Sequence, residues 1–133
     1  MKNKIKNQNI LITGGAGFIG TTLSQKLIND NKIVIYDNLW RNAIKNTKLL
    51  SSPNLKFIKG DVLDFKKISQ ILKQYKPSMI LHMAAIAGID TVIKSPTKTM
   101  EVNIIGTYNI LKAAKPFIFW KRWNFSCLLL KKL

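Results

Sequence analysis

Three glycines recur at every third position near the start of the chain: Gly14, Gly17 and Gly20, in the stretch LITGGAGFIG. Gly15 makes four in seven positions. Glycine loses more conformational freedom on folding than any other residue, so this density needs a reason. An apolar run, NILIT (9–13), precedes the glycines, and a stretch with helical spacing, FIGTTLSQKLIND (18–30), follows them. Strand, glycine turn and helix start together aim unpaired N–H groups and a partial positive charge at one point, which suits a phosphate. Two phosphate chemistries compete for this spacing. The triphosphate loop requires G-x-x-x-x-G-K-[ST]. Gly15, Gly20 and Thr22 satisfy it, but Thr21 stands where the lysine must reach the phosphates. The dinucleotide turn uses glycines for the turn, the pyrophosphate and the helix–strand contact, with an acid about 20 residues on for the ribose hydroxyls. Here the spacing is G-x-x-G-x-x-G, one residue longer before the central glycine than G-x-G-x-x-G. Asp37 closes a second apolar run, KIVIYD (32–37), 17 positions after Gly20. The combination points to the pyrophosphate of NAD, since an acid there repels the extra phosphate of NADP.

One other spacing sets a phenol and an amine one helical turn apart: Tyr108 and Lys112 form a Tyr-x-x-x-Lys pair. Chance matches to a two-residue pattern are expected in a Lys-rich chain, and we assign no catalytic residue. His82 is read as a structural strand-end residue. Cys127 is the only cysteine, so no intramolecular disulfide and no cysteine-based metal site is expected, and no metal ligand is assigned.

The elements that must position these residues alternate. Further strands are expected in NLKFIKGD (54–61), after Pro53, and in SMILHMAA (78–85), after Pro77. The first helix places Phe18, Ile19, Leu23, Leu27 and Ile28 on one apolar face. Asp64 caps a second helix whose face is Phe65, Ile68, Ile71 and Leu72. A long helix is expected from about residue 96 to 114, with Ser95 as cap and Pro96 at its first position. Strands apolar throughout and separated by helices imply an α/β fold with a parallel sheet covered on both faces. FIFW (117–120) is a candidate fifth strand.

TGGAGFIG closely resembles the opening motif of the extended short-chain dehydrogenase/reductase family, the NAD-dependent nucleotide-sugar epimerases and dehydratases. YDNL (36–39) resembles that family's second-strand end, GDVLD (60–64) its adenine site, HMAA (82–85) its fourth-strand motif and VNIIGTYNIL (102–111) its following helix. The resemblance covers roughly residues 8 to 115. It implies a Rossmann-type doubly wound parallel sheet, here truncated after about four or five strands, and NAD as cofactor. The implied cofactor set is Gly14, Gly17, Phe18, Ile19 and Gly20 at the turn, then Asp37 and Asn38 at the ribose. Asp61 would accept from the adenine amino group, with Val62 near the ring, and small Ala84 and Ala85 would let backbone approach the dinucleotide. The alternative for Asp61 is a turn residue before the Asp64 cap. Asn103 is implied as a buried asparagine tying backbone together. The family's catalytic Tyr-x-x-x-Lys follows the fifth strand, with a Ser or Thr upstream, so the earlier pair at Tyr108 does not match it.

After Ala114 the pattern changes. The remainder, KPFIFWKRWNFSCLLLKKL (115–133), has two of the three tryptophans and no acidic residue. We therefore expect residues 1–115 to be an incomplete NAD-binding Rossmann domain. Residues 116–133 would be a divergent basic and apolar tail left by truncation or a frameshift. The chain would be the NAD-binding portion of a UDP- or dTDP-sugar epimerase/dehydratase, inactive alone. The alternative is a non-catalytic NAD-binding sensor or regulatory module. A third possibility is a basic nucleic-acid-binding protein, because 22 basic against 6 acidic residues give a net charge of +16. Only Arg41 and Arg122 are arginines, however, and dispersed lysines in a Lys-, Asn- and Ile-rich composition point to a solvated surface. The amino-terminal stretch MKNKIKNQNILITG lacks the continuous apolar stretch of a signal peptide, and no bilayer-spanning run is present. A cytoplasmic location is expected, with a nucleotide-sugar substrate, no membrane, and a partner chain covering the exposed sheet edge.

Overall fold

The computed structural model describes residues 5–118 and the strand 124–127. Five strands form one parallel sheet: β1 (Asn9–Thr13), β2 (Lys32–Asp37), β3 (Leu55–Lys59), β4 (Met79–His82) and β5 (Asn124–Cys127), in the order β3-β2-β1-β4-β5. Strand β1 lies at the centre, with Leu11 level with Val34 of β2 and with Ile80 of β4. The chain therefore leaves β1 at the point where successive strands diverge to opposite sides, which is where open α/β sheets gather their ligands.

The strands are apolar throughout because both faces are covered. Alternate side chains point to opposite faces. Leu11, Val34, Tyr36 and Ile80 pack with Ile68, Ile71 and Leu72 of α2 (Phe65–Tyr75) and with Ile110, Ala113 and Ala114 of the last helix. Ile10, Ile12, Ile33, Ile35 and Leu81 pack on the other face with Ile28, Ile44 and Leu49. Burying each such aliphatic side chain contributes about 1.5–3 kcal/mol, so the two faces together dominate the stability.

Helix α2 follows the sequence expectation: the Asp64 carboxylate accepts from the Lys67 N–H at 2.9 Å, and Lys76 closes the helix in the left-handed region before Pro77. Helix α1 (Phe18–Leu27) does not. Its buried face consists of small residues, Gly20, Thr21 and Ser24, while Phe18 and Ile19 are 79% and 59% exposed. A Cβ at Gly20 would lie 2.4 Å from the Gly14 carbonyl oxygen and 2.5 Å from the Gly15 Cα, so the helix approaches the turn closer than any side chain allows. Only Leu23, Leu27 and Ile28 of the expected apolar face reach the core.

Beyond β4 come a short α3 (Ile89–Lys94) and the expected long helix, which has three parts. Helix α4 (Pro96–Met100) runs through a π-helical turn (Glu101–Ile105) into α5 (Gly106–Ile118). Pro96 opens α4 as expected, but the Ser95 hydroxyl caps nothing; the Ser95 carbonyl accepts from both the N–H and the hydroxyl of Thr99. Phe117 belongs to α5 rather than to a fifth strand, which lies later, at Asn124–Cys127, paired with β4. Trp120 and Trp123 of the expected tail lie outside the described residues. Among the described residues no helix is long and apolar enough to cross a membrane.

Candidate functional site

The carboxyl ends of β1 to β4 open into one cleft of about 550 Å³. Gly14 and Gly17 form its floor, Asp37, Asn38, Asp61 and Val62 one wall, and Ala84, Ala85 and Ile86 the other. Of the sequence-derived candidates, Gly14, Gly17, Asp37, Asn38, Asp61, Val62, Ala84 and Ala85 are brought together here. Gly20 lies beneath the turn, and the side chains of Phe18 and Ile19 do not line the cleft. Any contribution of these two to a ligand is confined to their main-chain N–H groups at the start of α1.

The floor is shaped by backbone. Gly14 has φ +68°, and its N–H donates to the Tyr36 carbonyl at 2.9 Å. A Cβ there would stand 2.5 Å from the Ala84 nitrogen, so the turn after β1 rests directly on the segment leaving β4. Gly17 is the N-cap of α1 and supplies no capping side chain, and the helix has no acidic residue in its first turn. Its leading N–H groups and their partial positive charge are therefore unopposed by any carboxylate of α1 itself.

Asp37 reaches this turn from β2. One carboxylate oxygen accepts from the Ala16 N–H at 3.0 Å, and the other from the Leu39 N–H at 2.7 Å. The residue is only 7% exposed. Burial raises its pKa, opposed by hydrogen bonds from the Leu39, Ala16 and Gly17 N–H groups. Asp37 thus organises the glycine turn and the loop after β2, whose Leu39 sits at φ +65°. Asn38 joins the second wall: its side-chain amide donates to an Asp61 carboxylate oxygen at 3.1 Å, while its oxygen accepts from the Trp40 N–H at 3.0 Å. The other Asp61 oxygen accepts from the Leu63 N–H at 2.9 Å, so Asp61 also shapes the turn before the Asp64 cap. The Tyr36 hydroxyl donates to the Asp61 carbonyl at 2.7 Å, and burial, with the Asp64 and Asp61 carboxylates nearby, pushes its pKa up to about 12. Asp61 therefore shapes the turn before the Asp64 cap and also lines the cleft.

Two asparagines brace the loops. Asn103 accepts from the Ile86 N–H at 2.8 Å and donates to the Ile86 carbonyl at 3.0 Å, tying the wall after β4 to the π turn. Asn109, which sequence reasoning missed, donates from α5 to the carbonyls of Val62 and Leu63 at 3.0 and 3.2 Å. Its position in the helix carries no signal that separates it from any other polar helical residue.

His82 ends β4 as a buried strut, 5% exposed. The Thr107 hydroxyl donates to the Asn103 carbonyl at 2.6 Å, so it must accept from the imidazole Nε2–H at 3.1 Å. That leaves Nδ1 to accept from the Thr13 hydroxyl at 2.6 Å. Burial lowers the His82 pKa from 6.5 to about 4. Between those values the unfolded chain binds the proton that the folded one refuses, so stability falls as pH drops through 6.5 and levels off below about 4. The loss attributable to His82 should reach about 3 kcal/mol. Asp37, with its raised pKa, acts in the opposite sense at low pH. The His82 contribution is accordingly read as the difference between wild type and His82→Gln in urea unfolding at pH 7.5 and 4.5. Equal pH slopes in the two chains would contradict it.

Tyr108 and Lys112 do not line the cleft. Tyr108 is exposed, and the Lys112 ammonium lies 4.8 Å from the Phe65 ring centroid and 5.7 Å from that of Tyr108, on the outer surface of α2 and α5. Tyr108→Phe and Lys112→Met should leave nucleotide affinity unchanged and stability within about 0.5 kcal/mol of wild type, measured by titration and urea unfolding. The cleft also holds residues that no sequence motif flagged, Trp40, Arg41, Thr91 and Lys98, together with Ser95. Among the described residues no cluster of histidine, cysteine and carboxylate side chains could hold a metal ion.

A parallel sheet in this order, with a glycine turn leading from its central strand into a helix under a cleft, defines a Rossmann-type nucleotide-binding fold. The sequence profile of the GDP-mannose 4,6 dehydratase family matches residues 11–126. The chain belongs to that family, within the NAD-dependent epimerase/dehydratase group of the short-chain dehydrogenases/reductases. It is 36% identical over 121 residues to a dTDP-D-glucose 4,6-dehydratase of Dictyostelium discoideum, covering 87% of this chain and 28% of that protein. Among solved structures it resembles a UDP-N-acetylglucosamine 4-epimerase of Methanobrevibacter ruminantium M1, with a TM-score of 0.76 and 33% identity over 84% of this chain and 35% of the other. A UDP-glucose 4-epimerase of Brucella ovis, solved in complex with NAD, gives a TM-score of 0.71 and 30% identity, covering 81% of this chain and 32% of that one. The chain spans about a third of the length of the relatives it matches.

Proposed function

We propose that the cleft binds NAD and that the chain is the dinucleotide-binding portion of a nucleotide-sugar epimerase/dehydratase of the UDP- or dTDP-sugar class, without turnover of its own. The pyrophosphate would lie over Gly14 and Gly17 against the first turn of α1, where the N–H groups of Phe18 and Ile19 lead the helix and Gly20 sets its closeness to the sheet. Asp37 and Asn38 would meet the adenosine ribose, Asp61 and Val62 the adenine, and the backbone at Ala84 and Ala85 the remainder of the dinucleotide. Bound NAD supplies a hydride acceptor; the residues of this chain hold and orient it.

The observation that carries this proposal is the convergence at the glycine turn. A helix start without an acidic residue, a buried carboxylate from the next strand and the backbone after β4 meet within one open cleft. The residues fit the group: the space at Gly14 and Gly20 is already filled by backbone, and the cleft volume falls in the range of small-molecule sites. Binding rather than catalysis is proposed because, among the described residues, the Tyr-x-x-x-Lys pair stands outside the cleft. The relatives named above, including an epimerase solved with NAD, support the choice of cofactor. Calorimetric titration of the folded chain with NAD tests it, with saturable one-to-one binding as the expected result.

A further inference from the structure

We infer that Arg41, in the loop after β2, is the side chain that contacts the ligand's diphosphate and closes the cleft over it. The inference rests on the proposed nucleotide site and adds to it a residue outside the glycine motif. Its basis is a charge imbalance. A diphosphate brings two negative charges, whereas the start of α1 offers the equivalent of roughly half a positive one. The triphosphate-loop lysine that would make up the difference is replaced by Thr21, and Asp37 and Asp61 add negative charge to the same cleft.

Among the described residues, the cationic side chains that line the cleft are Arg41 and Lys98. Lys98 is already paired with the Glu101 carboxylate at 2.9 Å. Arg41 has no carboxylate partner among the described residues; its guanidinium lies 5.6 Å from the Trp40 ring centroid. It also reaches across the cleft. A Cβ placed on Gly88, between β4 and α3, would stand 3.9 Å from an Arg41 terminal nitrogen and 3.9 Å from the Thr91 hydroxyl. Arg41, borne on the β2 side, and Thr91, borne on the β4 side, thus converge at the cleft mouth. Gly88, at φ +123°, leaves room between them. A guanidinium there presents a planar fork of donors suited to phosphate oxygens, and its stacking on Trp40 limits the freedom lost on binding.

The test is titration of wild type, Arg41→Ala and Arg41→Lys with NAD, ADP and adenosine, with thermal melts of each chain. Arg41→Ala should keep the wild-type melting temperature and lose about tenfold or more in affinity for NAD and ADP, the effect of one charge-assisted hydrogen bond. Binding of adenosine, which has no phosphate, should be unchanged, and Arg41→Lys should recover part of the loss. Unchanged NAD and ADP affinity in Arg41→Ala would overturn the inference, as would an equal loss for adenosine. A loss confined to NADP in a parallel titration would also overturn it, because Arg41 would then read a ribose phosphate instead. A folded wild-type chain that binds no NAD removes the site itself, a failure distinct from NAD binding that ignores Arg41.

Discussion

A Gly14→Ala chain is expected to lose measurable NAD binding and to unfold at clearly lower urea concentration than wild type. At φ +68° an alanine backbone alone costs about 1–3 kcal/mol. The added Cβ would also stand 2.5 Å from the Ala84 nitrogen and 2.6 Å from the Met83 carbonyl carbon, both backbone atoms that a rotamer change cannot move. Relief requires β1 and β4 to separate at their carboxyl ends, which widens the cleft floor. Gly17→Ala provides the contrast. Gly17 sits at φ −73°, and its Cβ would meet only the Gly14 carbonyl oxygen, at 3.3 Å. That chain should remain folded and lose affinity alone, since the new methyl stands at the floor of the cleft. Wild-type stability and affinity in Gly14→Ala would contradict the role given to the turn.

The second large effect is expected at Asp37. Replacing it with alanine removes the acceptor of the Ala16 and Leu39 N–H groups in a buried setting. Hydrogen bonds to a charged group contribute about 1.5–3 kcal/mol each, so a loss of roughly 3 kcal/mol of stability is expected. NAD affinity should fall by at least about tenfold, because the turn loses the carboxylate that the proposed site also sets against the ribose. Asp37→Asn separates the two effects. Its carboxamide keeps one acceptor but sets an N–H₂ group against a backbone donor, so it should fold better than Asp37→Ala and still bind NAD weakly. Urea unfolding and calorimetry on both variants check this. An Asp37→Ala chain with undiminished NAD affinity would confine Asp37 to a structural role.

How much of this was legible in the sequence varies from residue to residue. Strands β1 and β2 are where their apolar runs stand, because a strand covered on both faces reads as an unbroken hydrophobic segment. The α2 cap was legible for the same kind of local reason: Asp64 precedes an apolar face at helical spacing. Helix α1 departs from its apolar spacing, which includes Phe18 and Ile19, because the face that packs is built from Gly20, Thr21 and Ser24. Closeness to the turn, not hydrophobicity, selects that face. The π turn at Glu101–Ile105 leaves no mark on the periodicity, and α5 continues past Ala114 through Pro116 into Phe117. In the site, motif positions were visible and bracing residues were not. Gly14, Asp37 and Asp61 carry spacing that means something along the chain. Arg41, Thr91 and Asn109 acquire meaning only when the β2 loop, α3 and α5 are brought around the cleft. Asp37 was legible as an acid at a strand end, yet its hold on the Ala16 and Leu39 N–H groups emerges only from the fold.

If the glycine turn of one folded chain forms the proposed dinucleotide site, calorimetric titration of NAD into wild type and Gly17→Ala, with each chain shown to be folded by its thermal melt, will separate the two. Saturable one-to-one binding by wild type is expected, with loss of that binding in a Gly17→Ala chain that melts as wild type does. A folded wild-type chain with no NAD binding, or a Gly17→Ala chain that binds equally well, would contradict it.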